Sequence, residues 1–274
     1  MPPERSVPPV RREPVPFDTT RLAERRVGVL LVGHGTRDPA GVAEFLELAE
    51  LLRIRLAPLP VRAGFLELAK PSIEAAVAEL AAAGVDSTYT APVLLFAAGH
   101  AKRDIPDAVA EAAHRHGLTV LGQSQHFGCR PELLALSRRR FAEAAAVRQF
   151  APAETVHVMV GRGSTDETAL AEMREFSARR AAAGTALQTL TSFAAMAEPR
   201  IEPTLEQAAS TGARHVVVQP HLLFAGELLD RVAALTADAA RRHPTITWSL
   251  TRHLGAEPEL VECLVAGLAE TCDI

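Results

Sequence analysis

The chain reads as an α/β protein made of two homologous halves. Each half is built on a parallel sheet of four strands flanked by helices, and a cleft lies between the halves. Three observations predict this. An internal repeat runs through the 274 residues at a spacing of 128. Each repeat alternates short apolar runs with longer amphipathic ones, the pattern of βαβ units. Gly and Pro punctuate both repeats at the same places.

The repeat is carried by named pairs. Gly33, Gly35 and Asp38 fall on Gly161, Gly163 and Asp166, and Phe65, Pro71 and Glu74 on Phe193, Pro199 and Glu202. Pro92 with Leu94-Leu95-Phe96 falls on Pro220 with Leu222-Leu223-Phe224. Toward the ends the spacing becomes 127, where His126-x-Gly128-x-x-Pro131-Glu132-Leu133 matches His253-x-Gly255-x-x-Pro258-Glu259-Leu260. One residue is therefore lost between the halves, and the stretch involved reads as helical.

In order along the first half, VGVLLV (27–32) is a buried-strand run and residues 40–56 carry apolar side chains at helical spacing. A second strand spans 59–66, a helix 71–84, a third strand 86–96, a helix 105–117, a fourth strand 118–123 and a last helix 131–146. Asp104-Ile105-Pro106 reads as an N-cap followed by a Pro-bearing first turn. The second half repeats this with strands near 155–160, 187–193, 214–219 and 245–250 and a last helix from Pro258. The expected organisation is a mostly disordered Pro- and Arg-rich tail over 1–25, a first domain over 26–151 and a second over 152–274.

Composition narrows the function. Formal charge is -4 and aromatic residues are 4%, so neither a basic field nor a stacking surface points to nucleic acid. No run is long enough to span a bilayer, and the N-terminus is not a secretory signal. Cys129, Cys263 and Cys272 are far apart, form no C-x-x-C pair and fit a reducing, cytoplasmic setting. GHGTRD lacks the spacing of a phosphate-binding P-loop or of a dinucleotide fingerprint.

Ligands of open parallel sheets bind outside the carboxyl ends of the strands. Three chemistry-bearing residues stand there in the first half: His34 after the first strand, Glu67 after the second, His100 after the third. They are 33 residues apart at each step, one βα unit. Two imidazoles and a carboxylate form a common ligand set for borderline divalent metals. Singly, each also fits a plainer role: a capping ring at His34, a solvated first-turn carboxylate at Glu67, a polar loop group at His100.

The second half is an internal control. His34 aligns with Arg162, Glu67 with Ala195 and His100 with Leu228. The Gly, Pro and apolar frame stays while all three polar residues go. Residues needed for packing would have been kept in both halves, so the three read as functional, and one active site is expected rather than two. His126 and His253, shared by both halves, read as structural, for instance as caps of the last helix. His221 reads as a strand-end ring, His114 and His116 as favourable charges at a helix C-terminus, and His157, His215 and His243 carry no visible site.

LLVGHGTRDPAG, the Glu of FLELAKPSI and PVLLFAAGHAKRDIP resemble the sirohydrochlorin chelatases, the CbiX/SirB-like class II tetrapyrrole chelatases, in their long two-domain form. The resemblance covers about Val27 to Leu268 and implies the chelatase-like α/β fold with an active cleft between the domains. It implies insertion of Fe(II) or Co(II) into sirohydrochlorin, for sirohaem or cobalamin. His34 and His100 would bind the metal and help remove pyrrole protons, with Glu67 as the acidic residue of that site. The second domain would be the degenerate one. Arg37, Lys102, Arg103 and Arg162 are candidate contacts for the carboxylates of the macrocycle.

Imidazole suits the task independently. With a pKa near ~6.5 it both ligates a metal and accepts a proton. The metal is expected as substrate, iron or cobalt with nickel open, and no tightly bound cofactor is expected. The expected partner is the small-molecule tetrapyrrole alone, with no nucleic acid and no membrane, and the chain is expected to be a monomer. The other reading the sequence leaves open is a tetrapyrrole or metal carrier without catalysis.

Overall fold

The computed structural model describes residues 17–96, 101–146 and 150–272. The first half runs α1 (Thr19–Glu24), β1 (Val27–Gly33), α2 (Pro39–Arg55), β2 (Val61–Phe65), α3 (Ile73–Ala82), β3 (Ser87–Pro92), α4 (Ala101–His116), β4 (Thr119–Gln123) and α5 (Pro131–Ala146). A short 3-10 turn at Pro152–Glu154 leads to the second: β5 (Thr155–Gly161), α6 (Glu167–Ala181), β6 (Gln188–Phe193), α7 (Ile201–Ser210), β7 (His215–Pro220), α8 (Glu227–Arg242), β8 (Thr247–Leu250) and α9 (Pro258–Thr271).

Each half holds a four-stranded parallel sheet, ordered β2-β1-β3-β4 and β6-β5-β7-β8. β1 and β5 are buried at all seven positions. That is what an inner parallel strand covered on both faces requires, and it explains their unbroken apolar runs. One face of the first sheet packs Leu30 and Val32 on Ile73, Val77 and Leu80 of α3 and on Ile105 and Val109 of α4. The other face packs Val29 and Leu31 with Phe45, Leu48 and Leu52 of α2.

That second face is completed from the other half. Helix α9 lies against β3, β4 and α2 of the first half, while α5 lies against β7, β8 and α6 of the second. The two exchanged helices also pack on each other. Leu260, Leu264 and Leu268 of α9 therefore share a core with Val29 and Leu31. Arg55–Glu262 at 2.7 Å and Arg130–Glu270 at 2.5 Å fasten α9 from outside.

Three expectations are corrected. Residues 19–24, expected to be part of a disordered tail, form α1: Asp18 caps it by accepting the Arg21 N–H, and Leu22 is buried in the first core. Helix α4 starts at Ala101, so Asp104 lies in its first turn and Pro106 inside the helix, with no N-cap at Asp104. The residue lost between the halves is in a strand. Thr88 pairs with Val120 and Tyr89 with Gly122, leaving Leu121 as a bulge in β4, whereas β7 and β8 pair without interruption.

Candidate active site

The turn after β1 is built by its glycines. A Cβ on Gly33 would lie 2.8 Å from the Phe45 ring. Gly35 has φ +104°, and a Cβ there would overlap the Glu67 carbonyl oxygen. Gly33 thus admits the chain's own α2, through Phe45, and Gly35 its own β2–α3 loop. That loop continues the pairing beyond the strands: Leu66 donates to the Gly33 carbonyl at 2.9 Å and Glu67 to the His34 carbonyl at 3.0 Å. The N-terminus of α2 is occupied by Asp38, whose carboxylate accepts from Ala40 and Gly41.

These contacts place the Glu67 carboxylate beside the His34 ring, with Oε1 3.6 Å from Nε2. The separation is an ion-pair distance rather than a hydrogen bond. Both side chains are open to solvent, 41% and 56% exposed. Among the described residues no third ligand-type side chain joins them into a group of three. His100 lies outside the described residues.

Arg37, Arg103 and Arg162 are exposed, and none forms an ion pair with a described residue. Lys102 lies in the first turn of α4, and its side chain is outside the description.

The second half copies the scaffold without the chemistry. Ala194 donates to Gly161 and Ala195 to Arg162, both at 2.9 Å. Gly163 has φ +90°, and a Cβ there would overlap the Ala195 carbonyl. Asp166 caps α6 through the Thr168 N–H. The frame is the same, and Arg162 and Ala195 stand where the imidazole and carboxylate would be.

The carboxyl edges of the two sheets adjoin. A Cβ on Gly41 would lie 2.6 Å from the Ala225 carbonyl, and the Phe45 and Phe224 rings are 6.1 Å apart. Two matched pairs hold this junction. Glu44 on α2 accepts from the Ala225 N–H at 2.7 Å and lies 2.8 Å from His253 Nε2. Its counterpart Glu172 on α6 lies 2.9 Å from His126 Nε2. The shared histidines are structural, as expected, but they bridge the halves instead of capping the last helix. The signal was present: Glu44 and Glu172 also keep the spacing of 128.

His221, read as a strand-end ring, is buried. It stacks between Phe176 at 4.1 Å and Phe96 of the other half at 5.6 Å, and burial pushes its pKa down to about 3. His157 is buried in β5, its pKa lowered to about 3 by burial and then by the nearby Arg180.

The profile of the CbiX family matches residues 28–144 and again 156–271. A sirohydrochlorin cobaltochelatase of Priestia megaterium is 28% identical over 85% of this chain and 76% of its own length. A sirohydrochlorin ferrochelatase of the same organism is 28% identical over 78% of this chain and 79% of its own. The solved structure of SirB from Bacillus subtilis with Fe3+ superposes with a TM-score of 0.79 at 20% identity, covering 90% of this chain and 96% of that one. SirB from Bacillus subtilis subspecies spizizenii in complex with cobalt gives 0.74 at 22% identity, covering 89% and 94%. Matched through both of its halves, on a fold of two parallel sheets, the chain belongs to the CbiX family.

Proposed function

We propose that the chain is a sirohydrochlorin chelatase that inserts Fe(II) or Co(II) into the macrocycle, with one active centre in its first half. The observation that carries the reading is the His34–Glu67 pair at the carboxyl edge of the first sheet, 3.6 Å apart and replaced by Arg162 and Ala195 in the second. Relatives named as sirohydrochlorin cobaltochelatase and ferrochelatase over most of the chain support it.

The reaction takes in a dication and releases two protons. Two pyrrole N–H bonds break, the ring nitrogens bond the metal, and the oxidation state is unchanged. His34 and His100 hold the entering metal through neutral imidazole, a ligand weak enough to hand it over. As a proton arrives on His34, the Glu67 carboxylate stabilises the charged ring. Arg37, Lys102, Arg103 and Arg162 receive the peripheral carboxylates of the substrate. The duplication supplies within one chain the pairing that a single-domain relative would obtain by dimerising. The enzyme is accordingly read as a cytoplasmic monomer, its metal a substrate and not a resident cofactor. No helix among the described residues is long and apolar enough to cross a membrane.

The test is an anaerobic assay of the purified protein with sirohydrochlorin and Fe(II), Co(II) or Ni(II) in turn, followed by absorbance. Many turnovers per chain are expected with iron or cobalt. His34→Ala and His100→Ala should each lower the rate at least about 100-fold. His34→Ala should leave the thermal midpoint unchanged, because its side chain is exposed. Stoichiometric binding without turnover would make the protein a carrier.

A further inference from the structure

Two exposed apolar side chains stand at matched places on the carboxyl edges. Leu68 follows Glu67 and is 48% exposed; Met196 follows Ala195 and is 53% exposed. Each sits at the tip of a three-residue turn. Ala69 donates to the Glu67 carbonyl at 2.8 Å around Leu68, and Ala197 to the Ala195 carbonyl at 2.7 Å around Met196. Their φ angles are +64° and +57°. This is the γ-turn of positive φ, the rarer and more strained hand, in which glycine would sit more easily.

Among the described residues this is the one pair of exposed large apolar side chains at matched positions of the repeat. Packing does not account for it, since neither side chain is buried. The polypeptide bears backbone strain and solvent-exposed apolar surface in both halves, although the second half has lost its imidazoles and its carboxylate. Backbone strain clusters at ligand contacts, and here it recurs at matched places on the two carboxyl edges. The neighbour of Leu68 is the carboxylate beside His34, and the edge bearing Met196 adjoins this one through Gly41 and Ala225.

We infer that Leu68 and Met196 are contacts for the apolar face of the macrocycle, one from each half. The inference rests on the chelatase reading. A tetrapyrrole is a flat apolar ring with charged edges, so it takes aliphatic and thioether side chains on its face and arginines at its rim. On this account the second half has shed the groups that meet the metal and kept one that meets the ring.

The test is titration of metal-free sirohydrochlorin into the protein under anaerobic conditions, with Kd read from absorbance. Leu68→Gly and Met196→Gly should each raise Kd about tenfold, equivalent to about 1.4 kcal/mol. Their thermal midpoints should be unchanged or higher, because glycine relaxes the turn. Leu68→Asn, which tolerates positive φ but is polar, should show the same loss of affinity, and it carries the test if the glycine variant folds poorly. Leu68→Met should restore most of the affinity. Ile54→Ala, at an exposed apolar residue on the far end of α2, should change nothing. Co(II) binding without macrocycle should be unaffected throughout. If the wild type inserts metal while Leu68→Gly, Leu68→Asn and Met196→Gly all bind sirohydrochlorin within twofold of it, the inference is overturned and the function stands. A wild type that neither binds nor metallates sirohydrochlorin overturns both.

Discussion

His157 and His221 tie stability to pH. Gln219 donates through Nε2 to the Ser137 carbonyl at 2.9 Å, so its Oε1 is the acceptor facing His157 Nε2, which must carry the proton. Both rings are held neutral, with folded pKa values of about 3 against an ordinary 6.5. Below pH 6.5 the unfolded chain binds protons that the folded chain refuses, so stability is present above that pH and falls as the medium is acidified toward pH 3. By pH 5 the loss should be about 2 kcal/mol per ring. Denaturant titrations at pH 7.5 and 5 should show it, and His221→Leu should flatten the slope by about half. At this scale His34 and Glu67 were legible, because two halves of one chain differ there while their frame agrees. The burial of His221 was not, because Phe96 comes from the other half and no local pattern announces it.

The element that makes the site is the β1–α2 turn with the β2–α3 loop laid on it. Gly35 is required twice, by its φ of +104° and by the Glu67 carbonyl against its Cα. Gly35→Ala should cost about 3 kcal/mol and drive the Glu67 loop away from His34, so activity per folded molecule should fall as well. Gly163→Ala strains the equivalent turn at Ala195, and it should destabilise comparably while the folded fraction keeps its turnover at saturating sirohydrochlorin and loses affinity through Arg162 and Met196. Thermal melts paired with active-fraction assays separate the two. Strand and helix order was legible from the alternation of apolar runs; the caps at Asp38 and Asp166 emerge only with the structure. The bulge at Leu121 was not, since an extra residue in a strand leaves a mark in register and none in composition. The start of α4 at Ala101 was hidden by Pro106, which reads as a first-turn residue and instead lies within the helix.

On the scale of the molecule, the repeat announced two like sheets but not that α5 and α9 change places. Exchange depends on which sheet a helix meets, and an apolar face such as that of Leu260, Leu264 and Leu268 fits either. The exchange makes the halves interdependent. Residues 1–151 alone would lack α9 over the first sheet, and should either remain unfolded or pair with a second copy through α5; sedimentation showing a stable folded monomer would contradict this. On the proposed reading, the duplicated scaffold carries a single metal centre, in the half that holds His34, Glu67 and His100. Anaerobic titration with Co(II) tests it most directly. One functional equivalent per chain is expected, lost in His34→Ala; two equivalent sites per chain, or a site that survives in His34→Ala, would overturn the single-centre reading.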